Sequence, residues 1–189
     1  MMEALWETKF FVRPSECDAN RVMSPTGVAE RMEEAAWFHA EALGYGVREL
    51  RKMKRFWALT RLRVEFDRLP RWSEEITLHT WPKGSSGIYA LRDWLWLDKE
   101  GSAFGRATSS WVLVDLEARK ATALGDMPSA FEERAGIHAI ESMPKKIEPL
   151  SEAASGKTFN VPLSDIDLNE HVNNTKYLRW VLDSFDRNE

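Results

Sequence analysis

The amino-acid sequence predicts an α+β domain in which an antiparallel sheet curls around one long helix. Three observations carry that prediction. A single well-bounded helical segment occupies residues 24 to 43. After it the apolar pattern changes to a period of two. The links between the later stretches are short turn sequences, with no alternation of strand and helix.

Residues 5 to 12, LWETKFFV, have strand composition and lead through Pro14 into a polar loop. Ser24 suits the N-cap and Pro25 the first helical position, since a capping hydroxyl accepts an orphan backbone N–H and proline has none to lose. Val28, Met32, Ala35, Ala36, His39 and Leu43 follow at helical spacing, and Gly44 and Gly46 end the helix. Ala29, Ala35, Ala36, Ala40 and Ala42 keep it thin, able to lie close against a curved sheet. His39 falls on the apolar face and reads as a satisfied core histidine rather than a catalytic one. Ala58, Thr60, Leu62, Val64 and Phe66 then alternate with Leu59, Arg61, Arg63, Glu65 and Asp67, as one long half-buried strand would. Further strands are expected at 75–81, 88–97, 105–114 and 119–124, separated by the turn sequences PRWS, PKGSSG, DKEG and DLEA. Links this short favour antiparallel neighbours. The result is the hot-dog arrangement.

The chain has 189 residues, 43% of them hydrophobic, and a formal net charge of -4, which describes a globular protein able to bury one good core. Scattered charges, Lys+Arg 26 against Asp+Glu 30, exclude the basic footprint of a nucleic-acid partner. The start, MMEALWETKFFVRP, lacks a basic leader with an apolar run, and no later stretch reaches membrane-spanning length, so a cytoplasmic protein with no membrane partner is expected. Cys17 is the only cysteine, which rules out an intramolecular disulfide and reads as a small buried apolar side chain. Nine tryptophans include Trp57, Trp81, Trp94, Trp96 and Trp111 at strand positions, where they pack the sheet or line an apolar cavity.

From Gly125 to Gly156 the alternation fades into a stretch with three prolines and mixed charge, read as a linker. Beyond it the chain repeats itself. A constant offset pairs Phe10 with Phe159, Val12 with Val161, Ser15 with Ser164, Asp18 with Asp167 and Asn20 with Asn169. Both copies read as strand, Asp-x-Asn loop and helix. They differ where Val22 meets His171, so chemistry belongs to the second copy. The expected organisation is a first repeat over 1–124, a linker over 125–156 and the start of a second repeat over 157–189. The offset predicts a second repeat reaching residue 273, so the repeat is expected to be truncated at Glu189. Leu178, Val181, Leu182 and Phe185 then form an apolar helix face without a sheet to cover it, and association through that helix, including a homo-oligomer, is expected.

In SDIDLNEHVNNTKYLRW, Asp167, Asn169 and His171 occupy alternate positions before the last helix, which in an extended segment would aim all three to one face. A histidine there can serve as general base, an asparagine can orient a carbonyl or the imidazole, and a carboxylate can fix the ring. Backbone N–H groups around Val172 to Asn174 could hold an oxyanion. The same residue types are also ordinary loop and capping residues. One histidine without a second imidazole or thiolate is poor for a metal, and no cofactor is implied.

DIDLNEHVNNTKYLRWVLDS resembles the catalytic segment of the plant and bacterial acyl-acyl carrier protein thioesterases, which are tandem hot-dog enzymes. WALTRLRVEF, RWSEEITLHTW, GIYALRDWLW and GRATSSWVLVDLEARK are similar to stretches of the same enzymes in the same order. The resemblance implies hydrolysis of fatty acyl-acyl carrier protein to free fatty acid, with the acyl carrier protein as partner. It places active-site roles on Asp167, Asn169 and His171, with His171 activating the nucleophile. It also implies a further Cys or Glu past Glu189, and a first repeat that surrounds the acyl chain. Two alternatives stand beside it: an acyl-CoA thioesterase of the hot-dog superfamily, and a non-catalytic acyl-binding protein.

Overall fold

The computed structural model describes residues 4–125, 129–149, 156 and 158–185, with the side chain of residue 130 left out. The chain forms two compact units, Met1–Lys145 and Lys146–Glu189.

In the first unit, β1 (Trp6–Phe11) leads to α1 (Pro25–Ala42), a short α2 (Val47–Lys52), and then β2 (Arg55–Phe66), β3 (Glu75–Ser86), β4 (Tyr89–Leu97), β5 (Ala103–Asp115) and β6 (Lys120–Thr122). All pairings are antiparallel, in the order β1-β3-β4-β5-β2, with β6 also on β5. This is the α+β hot-dog fold that the pattern predicts. α1 begins where expected: Ser24 Oγ accepts the Gly27 N–H at 3.0 Å, and Pro25 holds the first helical position. Its buried face, with Val28, Met32, Ala35 and Ala36, packs with Ile76, Leu78, Trp94, Trp96, Phe104 and Ala107 of the sheet. Each fully buried side chain of the size of Val28 or Met32 is worth about 1.5–3 kcal/mol over exposure. Trp94 Nε1 donates to Met32 O at 3.1 Å, so the largest core residue also ties sheet to helix. Glycine is required at position 105, where a Cβ would collide with the Phe66 ring.

Trp81, Trp94 and Trp96 are buried, whereas Trp57 and Trp111 are half-buried. Cys17 is half-buried rather than buried, and its desolvation, with Glu16 and Asp18 nearby, pushes the thiol up from its ordinary range. His39 is fully buried with its Nδ1 bonded to Arg92, as a core histidine should be.

Two strand expectations change. Thr60 is the extra residue of a bulge, since Leu59 faces Trp111 while Arg61 faces Ser110. Alternation therefore changes phase: Trp57 and Leu59 share a face with Leu62, Val64 and Phe66, and Ala58 points the other way. The segment PKGSSG is not a turn, because β3 runs on to Ser86 across a second irregularity between Pro82 and Ser85. Proline cannot donate to the ladder and Gly84 has φ 103°, so both residues mark the irregularity, and only Gly87 and Ile88 turn. α2, with six residues, has no expectation to match.

The stretch read as linker carries structure between Ser129 and Ile140. Trp81 Nε1 donates to Ile137 O at 3.0 Å, Lys83 Nζ to Ile140 O at 2.6 Å, and the Ala139 N–H to Asp93 Oδ2 at 2.7 Å. Lys83 and Asp93, both buried, also pair with each other at 3.0 Å. The segment is thus fastened to β3 and β4 through groups that need each other's charge. No helix among the described residues is long and apolar enough to cross a membrane.

Candidate active-site loop

The second unit is built around one loop and one helix. A 3-10 turn (Leu163–Asp165) is followed by the loop 166–173 and α3 (Asn174–Leu182), whose N-cap Asn173 accepts the Thr175 N–H at 2.8 Å. Beneath the loop Asp165, 1% exposed, accepts from Arg179 Nη2 at 2.7 and 2.8 Å and from Trp180 Nε1 at 3.1 Å. The acid joins the start of the loop to the body of the helix. Phe159 stacks on Trp180 with ring centres 5.8 Å apart, closing the same corner from residues 158–162, which form no strand where the repeat predicts one.

Asp167 organises the loop from within. Its Oδ1 accepts the N–H of Asn169 at 2.8 Å and of His171 at 3.3 Å. Its own N–H donates to His171 O at 2.8 Å, and its carbonyl accepts the Glu170 N–H at 3.1 Å. Ile166 and Val172 bridge across the base, and Glu170 sits at φ 62°. The segment is therefore a closed turn and not an extended run, so period two does not set its side chains. Asp167 points back into its own loop while Asn169 is half-buried and His171 exposed. The structure does bring the three residues into one turn, with the Asp167 carboxylate holding the main chain of the other two. Among the amides expected to be free for an oxyanion, that of Asn173 is committed to Asp165 O at 2.9 Å.

The first repeat contains the same circuit. Asp18 Oδ1 accepts the N–H of Asn20 at 2.8 Å and of Val22 at 3.0 Å. The Asp18 N–H donates to Val22 O at 2.8 Å, and Asp18 O accepts the Arg21 N–H at 3.1 Å. Cys17 and Met23 bridge the base, and Arg21 sits at φ 60°. Below it, Glu16 pairs with Arg31 at 2.6 Å, and the Arg31 guanidinium lies 4.3 Å over the Phe10 ring. Each feature has its counterpart at the same offset: Glu16 with Asp165, Arg31 with Trp180, Phe10 with Phe159. The acid-and-helix lock under each loop was missed in the sequence. Its signal was present, since Glu16 and Asp165 are one more acidic pair at that offset.

No group of three or more His, Cys, Asp or Glu side chains able to hold a metal occurs among the described residues.

Comparison with known proteins matches residues 3–128 to the acyl-ACP thioesterase N-terminal domain and residues 148–188 to the acyl-ACP thioesterase C-terminal domain. The oleoyl-acyl carrier protein thioesterase 1, chloroplastic, of Arabidopsis thaliana is 28% identical over 199 residues, covering 95% of this chain and 54% of that protein. A chloroplastic palmitoyl-acyl carrier protein thioesterase of Gossypium hirsutum is 29% identical over 195 residues, covering 95% of this chain and 47% of its own. The chain thus spans about half the length of the curated relatives it matches. Among solved structures, an acyl-ACP thioesterase from Bacteroides thetaiotaomicron superimposes with a TM-score of 0.84 at 27% identity, over 97% of this chain and 74% of that one. The 12:0-ACP thioesterase from Umbellularia californica also gives 0.84, at 26% identity, over 98% and 76%. With the N-terminal domain match alone taking in more than half of its residues, the chain belongs to the acyl-ACP thioesterase family.

Proposed function

We propose that this chain carries part of the machinery that hydrolyses fatty acyl-acyl carrier protein to free fatty acid and so ends chain elongation, in the cytoplasm and with the acyl carrier protein as partner. The observation that supports it is the pair of loops. Two identical main-chain circuits exist, and only the second offers an imidazole, His171 in place of Val22. In this reading His171 is the general base that activates the nucleophile, and Asn169 orients the thioester carbonyl or the ring. Asp167 is a positioning residue, since its carboxylate is occupied by the N–H groups of Asn169 and His171.

The test is thiol release from dodecanoyl- and oleoyl-acyl carrier protein beside the matching CoA thioesters. His171→Ala should lower turnover ~100 to 10,000-fold, the usual contribution of a general base. A strong preference for CoA substrates would replace the carrier-protein reading with the acyl-CoA one. Equal trace rates for wild type and His171→Ala, with acyl binding retained, would favour a non-catalytic acyl-binding role.

The reading extends to association through α3. Tyr177, Val181 and Phe185 are 55%, 55% and 59% exposed, whereas Val28, Met32 and Ala36, at the same places on α1, are buried against a sheet. Sedimentation equilibrium should show concentration-dependent association that Val181→Asp abolishes. A stable monomer over the whole concentration range would refute it.

A further inference from the structure

The chain as a whole is acidic, with a formal net charge of -4, yet one corner of the first unit is basic. α2 and the residues that follow it into β2 carry Arg48, Arg51, Lys52, Lys54 and Arg55, and the turn from β5 into β6 adds Arg119 and Lys120. The two segments form one surface. Lys54 O accepts the Leu116 N–H at 2.9 Å, and Lys54 Nζ meets Glu117 at 2.6 Å. Asp115 stands opposite Arg55 on one side and Lys120 on the other. Of the seven cations only Arg55 is half-buried, and the other six are exposed.

The acids in the corner are fewer and already engaged. Glu49 pairs with Lys52 at 2.6 Å and Glu117 with Lys54. Asp115 Oδ1 accepts the N–H of Glu117 at 2.9 Å and of Ala118 at 2.8 Å, and Glu41, at the end of α1, accepts the Arg48 N–H at 3.5 Å. Seven cations therefore stand among four acids, on a chain whose remainder is acidic. Two of those cations occupy left-handed backbone, Lys54 at φ 55° and Arg119 at φ 51°. Glycine would serve either position with less strain, so the turn geometry does not account for a cation in both. Met53 and Leu116 add exposed apolar surface next to Lys54. This mixture does not suit a polyphosphate, which would meet Glu49 and Glu117 in the patch and an acidic chain around it. A carboxylate-rich protein face suits it, with acids against the cations and apolar side chains against Met53 and Leu116.

We propose that the corner formed by α2 and the β5–β6 turn docks the acidic face of a partner protein, and that this partner is the acyl carrier protein. The choice of partner rests on the function proposed above. The surface itself rests on its charge and is tested without turnover.

Association of the full chain with holo-acyl carrier protein is followed by surface plasmon resonance over a range of salt concentrations. Arg48→Glu combined with Lys120→Glu should slow association about 10-fold and flatten its salt dependence, the effect expected when steering charges are reversed. Lys9→Glu combined with Lys99→Glu makes the same charge change on β1 and the β4–β5 turn, away from the corner, and should leave association as it was. Equal slowing by both pairs, or no slowing by either, would overturn the proposal. So would phosphatidylglycerol vesicles that bind the wild-type chain as tightly as the carrier protein does and lose that binding in the corner variant. Hydrolysis then separates the surface from the reaction. The corner variant should raise KM for dodecanoyl-acyl carrier protein and leave KM for dodecanoyl-pantetheine, which has no protein to dock, unchanged. Carrier protein that docks at the corner and is never hydrolysed would support the surface and sink the reaction. Hydrolysis by the corner variant at an unaltered KM would sink the surface and leave the reaction standing.

Discussion

The Asp18 loop and the Asp167 loop share the four bonds that each acid makes within its own loop, yet one presents Val22 and the other His171. Because the circuit closes without an imidazole in the first repeat, the acid that organises it is there for the backbone. The loop is a scaffold first, and on the proposed reading chemistry is a side-chain choice placed upon it. A carboxylate beside a histidine invites reading as a catalytic pair. The duplicate shows that this carboxylate would be occupied with the same two amides whether or not a histidine followed.

The locks beneath the loops differ in burial, and that gives the largest expected effects. Removing Glu16 takes the more buried of two acids from Arg31, which is 7% exposed, and leaves it only the half-exposed Glu34 at 3.2 Å. Breaking a buried pair in this way costs about 3–5 kcal/mol. Asp165 is just as buried, but its partner Arg179 is 40% exposed and can turn to water. Asp165→Ala should therefore cost less, about 1.5–3 kcal/mol, mainly the lost bonds to a charged group and to Trp180. Urea unfolding of Glu16→Ala followed by the first unit's buried tryptophans, against limited proteolysis of α3 in Asp165→Ala, checks the ranking. Equal losses would mean that solvent does not rescue Arg179.

Much of this was legible. Ser24 and Pro25 announce α1 because capping is local chemistry, and the identities from Phe10/Phe159 to Asn20/Asn169 announce the duplicate loop. The bulge at Thr60 was not legible, since one inserted residue leaves local composition unchanged and shifts only the pairing partner. Lys83 and Asp93 were hidden for a different reason. Residues ten apart on neighbouring strands meet only once the register is known, and charged residues on strands ordinarily face water. In the second repeat, the spacing located Asp167, Asn169 and His171 but not their geometry. The positive φ at Glu170 and the Asp167 bonds replace the extended segment that alternate positions suggest.

Smaller effects separate the loop acids by consequence rather than by size. Asp18→Ala and Asp167→Ala each delete an acceptor for two backbone N–H groups and should cost about 1–2 kcal/mol, as loss of a helix cap does. Asn in either place keeps Oδ1 and should restore most of that. On the proposed reading only the change at Asp167 also lowers turnover, and Asp167→Asn rescues it. Rescue by Asn is the discriminating result, because a carboxylate needed for its charge would not be replaced by an amide.

The smallest difference lies at the left-handed residues, Arg21 at φ 60° and Glu170 at φ 62°. A side chain there costs roughly 1–2 kcal/mol, and glycine relieves it while giving back about 0.5–1 kcal/mol in unfolded-chain entropy. Glu170→Gly should thus stabilise its loop by about 0.5–1 kcal/mol. Arg21 lies over the Trp72 ring at 5.8 Å, an exposed cation–π contact worth about 0.5–1 kcal/mol, so Arg21→Gly should be close to neutral. Hydrogen exchange at the amides of Asn169 and His171, set against those of Asn20 and Val22, reads each loop by itself. A gain in the first loop equal to that in the second would show that Trp72 contributes nothing and that the two circuits are energetically the same.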